Sequence, residues 1–143
     1  MKATATTEQR NPLVLLVEPD DGERERYGAW LEDAGMTPIN CPGPRIPGFF
    51  CLGVCNRPCP LAQVADVAVL DTRQLPGLSK QGLPGWRLLR YYLAQGIPVV
   101  VIADHYRKDR TFRPEQVAIL RPNPGKESLL LMVKMMLREA KKW

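Results

Sequence analysis

The chain has 143 residues, 45% apolar and 24% charged, with 14 Pro, 11 Gly, 4 Cys and a formal net charge of +5. That length suits one domain of about 100–150 residues and excludes two independent cores. No apolar run approaches the roughly 18 residues needed to cross a bilayer, and the opening MKATATTEQRNP lacks the apolar centre of a signal peptide, so the chain reads as soluble and cytoplasmic with no membrane partner.

A polar tail over residues 1–10 is expected to be disordered, and residues 11–143 form the domain. Leu13-Val-Leu-Leu-Val17 is an unbroken apolar run, the pattern of a strand buried on both faces. Asp20 then caps a helix, with Glu23 in the capping-box position; Tyr27, Trp30, Leu31 and Ala34 recur at helical spacing until Gly35 ends it. A short extended piece covers 36–40. From 41 to 60 no period survives: five prolines, three glycines and all four cysteines fall there. Proline removes backbone donors and glycine removes restraint, so this stretch reads as a loop.

Regular structure is expected to resume at Asp66. Residues 67–70 read as a buried strand ending in Asp71. After a long loop over 72–85, residues 86–95 read as a helix with Trp86, Leu89 and Leu93 on one face, closed by Gly96. Residues 98–103 are the most β-patterned run, 105–114 have room for at most a stunted helix, 117–120 form a last short strand, and 126–142 a final helix carrying Leu129, Val133, Met136, Leu137 and Ala140 on one face. Strands alternating with helices predict a parallel sheet covered on both faces by right-handed crossovers. Chemistry in such sheets gathers at the carboxyl ends of the strands, where Glu18, Asp71, Ala103 with Asp104, and Arg121 stand.

Taken together, Val14-Leu-Leu-Val-Glu18 before an amphipathic helix, Val67-Ala-Val-Leu-Asp71, Pro98-Val-Val-Val-Ile102 and Ile119-Leu-Arg-Pro122 resemble the CheY-like receiver domain of two-component response regulators. The resemblance implies a flavodoxin-like, doubly wound α/β fold with five parallel strands in the order 2-1-3-4-5. It also implies phosphoryl transfer from a histidine kinase to Asp71, with Mg²⁺ held by Glu18, a second acidic residue and Asp71, a Ser or Thr ending the fourth strand and a Lys ending the fifth. This chain departs from that pattern. Pro19 holds the second acidic position, with Asp20 one residue on; Ala103 replaces the hydroxyl; Arg121 replaces the Lys; Ala118 stands where an aromatic residue is usual. The Mg²⁺ site is therefore short of a ligand, and transfer to Asp71 is expected to be impaired or absent, with Asp71 kept as the partner of Arg121.

Where the family has its second helix, this chain carries Cys41-x9-Cys51-x3-Cys55-x3-Cys59. Four thiolates suit a tetrahedral Zn²⁺ or an iron–sulfur cluster, though the spacing is neither a standard zinc knuckle nor a ferredoxin motif. Disulfides, a redox-switching dithiol with Arg45 and Arg57 as nearby cations, and free thiols are the other readings. Phe49 and Phe50 are expected to pack this loop onto the sheet or to dock a partner.

Other features carry less. Arg107, Lys108, Arg110 and Arg113, broken by Asp109, read as a solvated loop and do not argue for nucleic acid. Residues 82–86 lack the Lys-Ser/Thr ending of a phosphate loop. His105, the single histidine, has no nucleophile arranged beside it, and the Met132, Met135 and Met136 stripe reads as core. The expectation is a non-enzymatic, receiver-like signalling module that works through contact with a protein, a histidine kinase or an effector. A metal or redox sensor built on the cysteines, and a conventional receiver phosphorylated at Asp71, are the alternatives.

Overall fold

A computed structural model describes residues 10–43, 58–72, 84–104 and 113–139. Five parallel strands, β1 (Leu13–Val17), β2 (Thr37–Cys41), β3 (Val67–Asp71), β4 (Val99–Ile102) and β5 (Val117–Leu120), form one sheet in the order β2-β1-β3-β4-β5. The order is the predicted one. The three central strands are the continuous apolar runs, because a strand with helices on both faces can expose neither set of side chains. Register is set in step: Val17 lies opposite Leu70 and Cys41, Asp71 opposite Ile102, and Ile102 opposite Leu120.

Alternation along the strands divides the core in two. Val14, Leu16, Val67, Val69, Val100 and Ile102 meet Tyr27 and Leu31 of helix α1 (Asp21–Asp33) and Leu129, Val133, Met136 and Leu137 of helix α4 (Lys126–Glu139). On the other face Leu15, Val17, Ala68, Leu70, Val99 and Val101 meet Ala62 of helix α2 (Pro60–Val64) and Leu88, Leu89, Tyr91 and Tyr92 of helix α3 (Pro84–Ala94). Each such Leu or Val, taken fully from water, contributes about 1.5–3 kcal/mol before the entropy of ordering is charged against it.

The Asp20 cap forms, its carboxylate accepting from the backbone N–H of Glu23 at 2.8 Å. The reciprocal half of the capping box goes elsewhere: Glu23 accepts from Arg26 and the Tyr27 hydroxyl, while Asp20 N donates to Glu18 Oε2 at 3.1 Å. Gly35 and Gly96 end their helices with positive φ, 83° and 79°. At the sheet edge, Thr37 N donates inward to Pro12 O at 2.8 Å, which turns the donor-less nitrogen of Pro38 outward.

Four expectations change. Regular structure resumes before Asp66, because α2 forms directly after Cys59, with Pro60 as its first residue, where the missing proline N–H costs nothing. Helix α3 starts at Pro84 rather than at 86, by the same device; the side chain of Trp86 lies outside the described set. Arg10, assigned to the disordered tail, is fixed by two 3.1 Å bonds to Asp66. Of the methionine stripe, Met136 is buried and Met132 partly so, but Met135 is 44% exposed.

Candidate functional site

Three strand ends converge at the carboxyl edge beside the β1–β3 switch point, where the chain order of the sheet reverses. Hydrogen bonds carry the strand registers one residue further: Glu18 N donates to Cys41 O at 3.0 Å, Thr72 N to Ile102 O at 2.9 Å and Ala103 N to Leu120 O at 3.0 Å. On the other side of β1, the register that sets Val17 opposite Leu70 puts Glu18 next to Asp71 one residue on, and both are buried, each 1% exposed.

Not every expected member of the site takes part. Asp20 is exposed and its carboxylate is the cap of α1; Asp104 is exposed as well. Ala103 is buried and brings no donor. The hydroxyl nearest Asp71 in sequence, on Thr72, donates to Ile102 O at 2.8 Å, the same carbonyl its backbone N–H uses, so it is committed to tying β3 to β4. The expected Asp71–Arg121 pair is not among the ion pairs of the described residues: Arg121 is exposed.

These residues do not fit the Mg²⁺ that the resemblance implies. No group of three or more His, Cys, Asp or Glu among the described residues is arranged to hold a metal ion, and the carboxylate that would complete Glu18 and Asp71 is spent on a helix cap. A cation nonetheless stands here that the sequence reading missed. Arg24, in the first turns of α1, donates through Nη1 to Glu18 O at 2.6 Å and through Nη2 to Asp21, and its side chain is only 20% exposed. Its signal in the sequence was its place one helical turn after the Asp20 cap, which aims a long side chain back over the end of β1.

Of the four cysteines, Cys41 is buried at the end of β2 and Cys59, partly buried, precedes α2 with its N–H donated to the Tyr91 hydroxyl at 2.9 Å. Both pack into the core on the α2–α3 side of the sheet. Cys51, Cys55, Phe49 and Phe50 lie outside the described residues, as do residues 82–83, His105, Arg107, Lys108 and Arg110. Arg113 is exposed and stands 3.9 Å from Glu115.

No family model matches the sequence and no curated protein aligns with it. Solved structures do match, and no helix among the described residues is long and apolar enough to cross a membrane. A CheY-like response regulator receiver domain from Methanospirillum hungatei JF-1 superposes with a TM-score of 0.63 at 21% identity, over 92% of this chain and 98% of its own. A response regulator receiver protein from Sinorhizobium medicae WSM419 gives 0.60 at 18%, over 91% and 97%. The chemotaxis protein CheY4 of Vibrio cholerae gives 0.59 at 17%, over 88% and 98%. Across nearly the whole length of these domains, and with the strand order that defines them, the chain has the fold of a CheY-like receiver domain.

Proposed function

We propose that this protein is an atypical receiver-like signalling module whose output is contact with another protein, a histidine kinase or an effector, and in which phosphoryl transfer to Asp71 is impaired or absent. The observation that carries the reading is the pocket itself. Asp71 is buried at the end of β3, while the residue following β4 is Ala103 and the Thr72 hydroxyl is bound to Ile102 O. Phosphoryl transfer depends on positioned charge and donors around the transferring group, and of the described residues next to Asp71, Ala103 offers no donor and the Thr72 hydroxyl is already committed. The fold shared with receiver domains supports a signalling role rather than an enzymatic one.

The test is incubation of the full chain with acetyl phosphate and Mg²⁺, read by intact mass. No phosphoryl adduct is expected. An adduct that disappears in Asp71→Asn overturns the reading and makes the chain a conventional receiver.

The same proposal assigns Cys41, Cys51, Cys55 and Cys59 to a structural metal site, Zn²⁺ first, in place of much of the family's second helix. Support comes from the four thiols in one short segment and from the anchoring of its two ends in the same core. Elemental analysis of anaerobically purified protein is expected to give about one zinc per chain. Iron with acid-labile sulfide and visible absorbance would identify a cluster and favour the sensing alternative; neither metal would return the segment to thiols or disulfides.

A further inference from the structure

We propose that the four residues after α4, Ala140-Lys-Lys-Trp143, dock back onto the domain and seat the Trp143 indole in a cleft at the amino end of the sheet. The cleft, of about 160 Å³, lies beside the starts of β4 and β5, at the far end of the strands from Glu18 and Asp71. Leu93, Ile97 and Pro98 give it apolar walls, and the exposed Glu115 and Glu139 stand at its rim. The turn after α3 adds no side chain to it: Gly96 holds a φ of 79°, and a Cβ built there would meet nothing within 4 Å.

Size, charge and position select this occupant. An apolar cavity of about 150 Å³ holds one benzene ring, so the cleft suits a single aromatic side chain rather than a whole helix or strand. An indole has an apolar body and one N–H, which can turn to a rim carboxylate. Glu139 takes part in no ion pair among the described residues, and Glu115 has only Arg113, 75% exposed and 3.9 Å away. Lys141 and Lys142 bring the complementary charge. Helix α4 ends at Glu139, on the rim itself, so the segment starts where it is to bind. Residues four apart on a helix share a face and long side chains lean toward its amino end; one more turn of α4 would carry the indole back over Glu139. Because α3 and α4 cover opposite faces of the sheet, the docked indole would link the two layers at their lower ends.

The test is NMR and fluorescence on the full chain. Nuclear Overhauser contacts are expected between the Trp143 ring protons and the methyl groups of Leu93 and Ile97, unchanged on dilution. The fluorescence difference between wild type and Trp143→Phe isolates residue 143. Its emission is expected to lie to the blue of a free indole, with acrylamide quenching reduced at least about threefold, as docking of about two thirds of the molecules gives. Reversing the rim with Glu115→Lys and Glu139→Lys together, both at exposed positions, is expected to abolish the ring contacts and restore full quenching. Circular dichroism reports whether each variant is folded.

The proposal is overturned if residue 143 emits and quenches as a free indole, if its ring contacts lie elsewhere on the domain, or if they survive the reversed rim. Contacts that vanish on dilution would assign the cleft to the tail of a second copy and overturn the intramolecular form. None of these outcomes bears on Asp71 or the cysteines, so the reading of the preceding subsection stands or falls separately.

Discussion

Asp66, immediately before β3, and Asp71, its last residue, are both buried, 4% and 1% exposed, yet their surroundings differ completely. Asp66 accepts from Leu13 N at 2.8 Å and from both terminal nitrogens of Arg10, so its charge is absorbed by the fold and ties the incoming chain to the amino end of the sheet. The same bonds and charge hold the Arg10 guanidinium above its ordinary pKa. Asp71 instead stands at the carboxyl end of the sheet, one residue beyond the Val17–Leu70 register pair, with buried Glu18 as its neighbour at the end of β1. One strand thus carries a carboxylate that clasps the incoming chain at its amino end and a second buried carboxylate at its carboxyl end, where the candidate site lies.

The contrast can be broken most directly at Asp66. Asp66→Ala leaves the Leu13 N–H and the Arg10 charge without their acceptor and is expected to cost about 2–3 kcal/mol, seen as a lower urea midpoint at unchanged slope. A loss below about 1 kcal/mol would mean that the clasp does not hold the fold. Arg10→Ala removes only the partner whose side chain is 58% exposed; about 1 kcal/mol is expected, shrinking as salt is raised. The smallest effect belongs to the other end. Asp71→Asn keeps the side chain's shape and much of its hydrogen-bonding capacity, so thermal and urea unfolding should move by less than about 0.5 kcal/mol, in either direction. A large destabilisation there would make Asp71 a structural residue like Asp66 and erase the distinction.

What was legible in the sequence follows from the range of the forces involved. The strands could be read because burial on two faces leaves an uninterrupted apolar run, and the start of α1 because a cap is a contact between residues three apart, Asp20 and Glu23. Helix α2 was missed since its five residues hold too little of a helical period and sit among prolines that suggest only a loop. The Arg10–Asp66 clasp joins residues 56 apart, and no local pattern announces it. In the site, Glu18 and Asp71 were found as strand-end residues, whereas the direction taken by the Arg121 side chain, which is exposed, has no signal in the spacing. The roles of Thr72 and Arg24 depend on where a side chain turns once the backbone is set, which sequence spacing does not contain.

The bond from Cys59 N to the Tyr91 hydroxyl has a consequence for chain entropy. With Cys41 in the sheet and Cys59 anchored to α3, the cysteine segment is a loop whose ends are already closed by the domain. Closing such a loop is the entropic cost that a cross-link ordinarily relieves in the unfolded chain, and it grows only slowly with loop length. Here the fold meets that cost through packing that does not involve a ligand. Occupancy at the cysteines would then shape the segment between the anchors, while the cooperative unfolding of the five strands would survive a chelator.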